Sequence, residues 1–179
     1  MQRRAFLSGM ASAGICGVPE LAKAAESDGP LRLSSALLYQ PSQEFEARLS
    51  SPQHLSNYMK AVIKAASDAI GQQPKGPGFS GQIVVLFKPV RKARYWVMSK
   101  SPERLKPYEE AMIQALHKVD VPPVFGGPLA FALLYDVWEG GAGYTNDGMV
   151  IPEQWVKALP PTGGYIDDAL FGKLWPDGQ

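Results

Sequence analysis

Few residues in this chain have the types and spacing that chemistry needs. His54 and His117 are its two histidines, and no Cys, Asp or Glu is read at metal-ligand spacing around them. His117 suits the negative end of a helix instead. Gly78-Phe79-Ser80-Gly81 has the outline of a nucleophile elbow. An elbow needs a strand before it and a helix after it, however, and here the strand pattern follows. Glu109-Glu110 and Asp167-Asp168 are sequence neighbours, so on a helix they do not face one another as a catalytic pair must. The glycine-rich run from Gly140 to Gly148 lacks both the lysine of a P-loop and the spacing of a dinucleotide fingerprint. The sequence therefore predicts no catalytic residue, no metal ligand set and no cofactor. What remains is a basic cluster, Lys88, Arg91, Lys92 and Arg94, and an aromatic tail containing Tyr135, Trp138, Tyr144, Trp155, Tyr165, Phe171 and Trp175. The first reads as a solvated turn or a docking patch for an acidic partner, the second as packing residues or the lining of a groove.

These candidates need a scaffold, and 179 residues suffice for one domain with a sizeable core. The formal charge is +1, and without the first 24 residues the chain carries 15 basic and 16 acidic side chains. Bulk charge thus gives no attraction for nucleic acid or anionic lipid. The single cysteine, Cys16, falls within the N-terminal segment, which excludes a disulfide scaffold for the rest.

Residues 1–25 read as an export signal. Arg3 and Arg4 precede a Gly/Ala-diluted apolar stretch, and Ala22-Lys23-Ala24 forms a small-x-small cleavage site. Arg3-Arg4-Ala5-Phe6-Leu7 resembles the twin-arginine translocation pattern, an arginine pair followed by a spacer and two apolar residues; an ordinary secretory signal is the alternative. Either predicts a periplasmic or exported protein. The apolar stretch is too short and glycine-rich for a good membrane span, so no stable transmembrane anchor is expected after signal cleavage.

Residues 26–50 read as an extended lead-in, with a weak helical patch near Glu44. Ser51-Pro52 then opens a helix as N-cap and first-turn proline. Its stripe is Leu55, Tyr58, Met59, Val62, Ile63, Ala66 and Ile70, spaced at three and four residues. After a Pro/Gly loop, Gly81 to Lys88 carries five consecutive apolar residues, the mark of a strand buried on both faces. Pro89 ends it, and residues 93–98 alternate as a half-exposed strand, making a hairpin. Pro102 and Pro107 predict a loop over 99–106, with the second helix opening at Pro107. That helix carries Tyr108, Ala111, Met112, Ala115, Leu116 and Val119 on one stripe. Gly126-Gly127-Pro128 releases a last strand over 129–138, with Leu129, Phe131, Leu133, Tyr135 and Val137 sharing a face. The prediction is an α+β fold over 51–138, a three-stranded antiparallel sheet with two packing helices in the order α-β-β-α-β. A small helical and loop extension over 139–179 packs back on it.

The helix with Tyr58 and Ile63, the hairpin 81–98 with basic residues at its turn, the helix around Ala111 to Leu116, its exit into Pro122-Pro123 and the closing apolar strand resemble the C-terminal domains of TonB and TolA. The resemblance covers residues 51–138. Departures are the short distance from signal to domain, where that family has an anchor and long spacer, and the added residues 139–179. It implies a non-enzymatic periplasmic module that binds an envelope protein by strand addition. The last strand would lie beside the central one with its outer edge unpaired, so the expected contacts are Leu129, Phe131, Leu133, Tyr135 and Val137, with Arg91, Lys92 and Arg94 as a basic patch. The alternative is an exported small enzyme or ligand binder with a pocket between the sheet and the extension.

Overall fold

The computed structural model describes residues 29–140, 152, 155–156 and 166–175. The leader expected over 1–25 lies outside the described residues. Four strands form one antiparallel sheet, β1 (Leu31–Leu38), β2 (Phe79–Lys88), β3 (Lys92–Ser99) and β4 (Leu129–Val137), in the order β1-β4-β2-β3. Among the described residues, the helices with given bounds are α1 (Ser42–Arg48), α2 (Pro52–Gly71), α3 (Pro102–Leu116) and α4 (Asp168–Leu174). Among the described residues no helix is long and apolar enough to cross a membrane.

Local chemistry sets the helix boundaries. Ser51 caps α2 by accepting a hydrogen bond from the Gln53 amide at 3.2 Å, and Pro52 occupies the first turn, where a missing N–H costs nothing. α3 begins at Pro102, five residues earlier than the sequence predicts, and contains Pro107. An interior proline frees the carbonyl four residues before it, here that of Glu103. Glu103 and Pro107 are both exposed, on the solvent side where a freed carbonyl is least costly, and the helix runs through.

The sheet has four strands where three were expected, because part of the lead-in pairs with β4 as β1. Leu31 and Leu33 alternate inward, but the register then shifts between Leu33 and Ser35, and Ala36 resumes the inward face. This bulge breaks the period of two by which a strand is recognised.

Both sheet faces are covered. The stripes of α2 and α3 meet Val85, Phe87, Phe131 and Leu133 on one face, with Val85 and Leu116 fully buried in the same cluster. On the other face Val84, Leu86, Ala130 and Ala132 pack against Trp155, Leu170, Phe171 and Trp175. Arg48 fastens this second layer. Its guanidinium donates to both carboxylate oxygens of Asp168 at 2.7 and 3.0 Å and to the Pro128 carbonyl at 2.9 Å, and it pairs with Glu44 at 2.7 Å.

Candidate docking edge

The five β4 residues proposed from sequence as a docking strand do not form an edge. β4 is an inner strand, paired with β2 from Leu129 to Val137 on one side and with β1 on the other. Leu129, Phe131, Leu133, Tyr135 and Val137 are all fully buried beneath α2 and α3. The expectation of an unpaired outer side fails because β1 supplies the backbone partners. Tyr39 and Gln40 extend the closure: the Tyr39 amide donates to the Ala130 carbonyl at 3.1 Å, and the Gln40 side chain accepts from the Ala130 amide at 3.0 Å.

The outer strands are β1 and β3. The bulge makes β1 irregular, and bulges blunt an edge. β3 keeps unbroken register with β2, from Gly81 opposite Ser99 to Lys88 opposite Lys92. The turn sets its phase. The Arg91 amide donates to the Lys88 carbonyl at 3.1 Å, and Arg91 has φ 55, the left-handed residue of a three-residue hairpin loop. Counting from this turn, Arg94, Trp96 and Met98 exchange backbone bonds with β2. The N–H and C=O groups of Ala93, Tyr95 and Val97 point away from the sheet. Among the described residues no strand pairs with that side.

Side chains flank this backbone row on both faces. Tyr95 and Val97 are buried toward the helices, and His117 at the end of α3 packs edge-on against Tyr95 with ring centres 5.3 Å apart. Trp96 and Met98 are half-buried on the opposite face, where Trp96 meets the fully buried Trp155 at 5.3 Å. The basic cluster divides. Arg91 and Lys92 stay exposed at the tip beside Val90, itself 68% exposed. Arg94 lies 5.5 Å from the Trp96 ring and donates to the Leu174 carbonyl at 3.5 Å, and Lys88 donates to the Trp175 carbonyl at 2.5 Å. Two cations thus serve the carbonyl end of α4, as a helix C-terminus favours. At the other end Ser99 Oγ donates to the Ser80 carbonyl at 2.7 Å and accepts from the Ser101 amide at 3.0 Å, ending the strand and turning the chain into α3.

Sequence reasoning missed Trp96 and Met98 as edge residues, although the alternation of residues 93–98 contained them. It had no means to link Arg94 to carbonyls 80 residues away.

Two polar groupings lie inside. Ser80 Oγ donates to the buried Asp136 at 2.5 Å, and Arg32 approaches the same carboxylate at 3.9 Å. Tyr58 and Tyr95 place their hydroxyls 2.8 Å apart in the core. Burial pushes the Tyr58 phenol well above the ordinary tyrosine range, and Tyr95 beside it adds to the shift. Tyr95 is raised by burial too, while its bond to Tyr58 acts in the opposite direction. Comparison with protein-family models, curated proteins and solved structures finds no match to this chain.

Proposed function

We propose that this protein is an exported, non-enzymatic interaction module of the cell envelope, docking an extended segment of a partner protein by strand addition at β3. The outward backbone row of Ala93, Tyr95 and Val97 carries the reading. Such a row gives affinity through main-chain hydrogen bonds and specificity through alternate side chains. The resemblance to TonB and TolA domains supports the mode of binding, and the Arg3-Arg4 motif supports the compartment.

A photo-crosslinker attached through Lys92→Cys, at the β3 edge, is expected to capture a partner in cells. The same probe at Ser34→Cys, on the exposed side of the β1 bulge, is expected to miss it. Capture from Ser34 and not from Lys92 would move the interface away from β3.

A second reading draws on the half-buried Ser80 and its bond to the buried Asp136, on the sheet face opposite α2 and α3 with Arg32 beside it. It is a small-ligand site between sheet and C-terminal extension. Asp136→Asn would then abolish ligand binding while leaving Lys92 crosslinking intact.

A further inference from the structure

Ser80, Asp136 and Arg32 line up across three neighbouring strands. Asp136 stands opposite Ser80 of β2 on one side and Arg32 of β1 on the other. Leu31 and Leu33, either side of Arg32, belong to the helix-side core, so alternation puts Arg32 on the far face with Ser80 and Asp136. The Asp136 side chain is 3% exposed and that of Arg32 is 72% exposed. Ser80 Oγ donates to Oδ1 of Asp136. Oδ2 has only the Arg32 guanidinium, at 3.9 Å, beyond hydrogen-bond reach. Among the described residues neither the Asp136 nor the Arg32 side chain has another partner. A carboxylate this buried is costly unless it is fully bonded, and a distant, exposed arginine contributes little to it. The guanidinium in turn offers a planar fork of donors with no acceptor in reach.

We infer that this row recognises a free α-amino acid, the ammonium bonding Oδ2 of Asp136 and the carboxylate bonding the Arg32 fork. The inference rests on the second reading, a small-ligand site at the Ser80–Asp136 bond, and adds the chemistry of the ligand. Charge decides the class. A bare cation meets repulsion from Arg32 and a bare anion from Asp136. A zwitterion answers both, with two charges on one carbon that reach two side chains 3.9 Å apart. One carboxylate and one hydroxyl make too poor a donor set for a metal ion, and among the described residues no group of three His, Cys, Asp or Glu converges. Ser80 is the positioning residue: its hydroxyl fixes Oδ1, and its own carbonyl is tied by Ser99 Oγ at 2.7 Å. Arg32, being exposed, can swing to admit the ligand.

The test uses the purified protein with L-alanine and L-leucine as probes. Each is also supplied as its amide, which lacks the carboxylate, as its N-acetyl form, which lacks the ammonium, and as its N-acetyl amide, which lacks both. Affinity is read by calorimetric titration and location by the shifts of the Ser80 and Asp136 amide resonances. At least one free amino acid is expected to bind, about tenfold or more tighter than its amide or its N-acetyl form, and the N-acetyl amide is expected not to bind. Arg32→Gln should cancel the preference over the amide, weakening the free amino acid and leaving the amide no weaker, because the lost bond is to a group the amide lacks. Asp136→Asn should cancel the preference over the N-acetyl form. Arg32 is exposed, so its variant keeps the test open if the Asp136 variant does not fold.

Equal binding of the free amino acid and its amide, or a preference that survives Arg32→Gln, would overturn the zwitterion and leave a ligand site at Asp136. Equal binding of all forms, or binding that leaves the Ser80 and Asp136 resonances unmoved, would overturn the inference. Binding of none of the compounds would overturn it too, and the urea midpoint of Asp136→Asn would then judge the reading beneath. A less stable variant would make the row a structural bond and remove the ligand site. A more stable one would mean a carboxylate held at a cost to stability, as binding sites are, for a ligand of another class.

Discussion

Tyr58 and Tyr95 show how one pair of residues couples core packing to pH. Both phenols are held neutral in the fold by burial, whereas in the unfolded chain they ionise near the ordinary value of 10.0. The folded state then retains protons that the unfolded state gives up. Stability from this source is complete below pH 10 and falls as pH rises above it, by roughly 1.4 kcal/mol per pH unit for a fully shifted group. Urea midpoints measured between pH 8 and 11 should decline, and Tyr58→Phe should flatten the decline even if it lowers the plateau. An unchanged slope would mean that the phenols ionise in the folded state. At this scale the sequence was legible where a side chain answers to its neighbours: Tyr58 lies on an apolar stripe, and Arg91 and Lys92 at an exposed turn. It was illegible for Arg94, whose carbonyl partner belongs to a helix far along the chain, and for the Tyr58–Tyr95 bond, which needs α2 and β3 brought together.

Elements were legible when their period was unbroken. The α2 stripe and the apolar run of β2 occupy the positions that spacing predicts. β1 was lost to its bulge, and the first turn of α3 to a rule about interior proline that is relaxed on an exposed face. The error over β1 had the larger consequence, because it turned an inner strand into an apparent edge and put the docking residues in the core. Leu116 tests the packing of α3 against the sheet. It is fully buried in one cluster with Val85, and Leu116→Ala should cost about 2–5 kcal/mol in urea denaturation, the range for emptying a packed leucine site. A midpoint within error of the parent would mean that α3 is not held by this stripe.

At the scale of the molecule, the sheet is a shared wall between two layers, and the second depends on few polar fasteners. Arg48 joins α1, the start of β4 and α4 through its bonds to Glu44, Pro128 and Asp168. A Cβ added at Gly127 would lie 2.6 Å from its guanidinium. Arg48→Ala should loosen α4 and speed tryptic cleavage after Lys173, and Arg48→Lys should restore little, since an ammonium cannot make the paired bonds to Asp168; equal cleavage in all three proteins would mean that α4 is held by its apolar face alone. β1 near the start of the chain pairs with β4 about a hundred residues later, so the sheet closes only after most of the chain has been made. The twin-arginine export proposed above, a route that carries folded cargo, is tested at its address. Arg3→Lys together with Arg4→Lys keeps the positive charge but removes the pair that the receptor reads. The expected outcome in fractionated cells is a precursor retained in the cytoplasm, folded and resistant to protease. Undiminished protein in the periplasm would assign export to the general secretory route, which accepts lysines and threads its substrates unfolded.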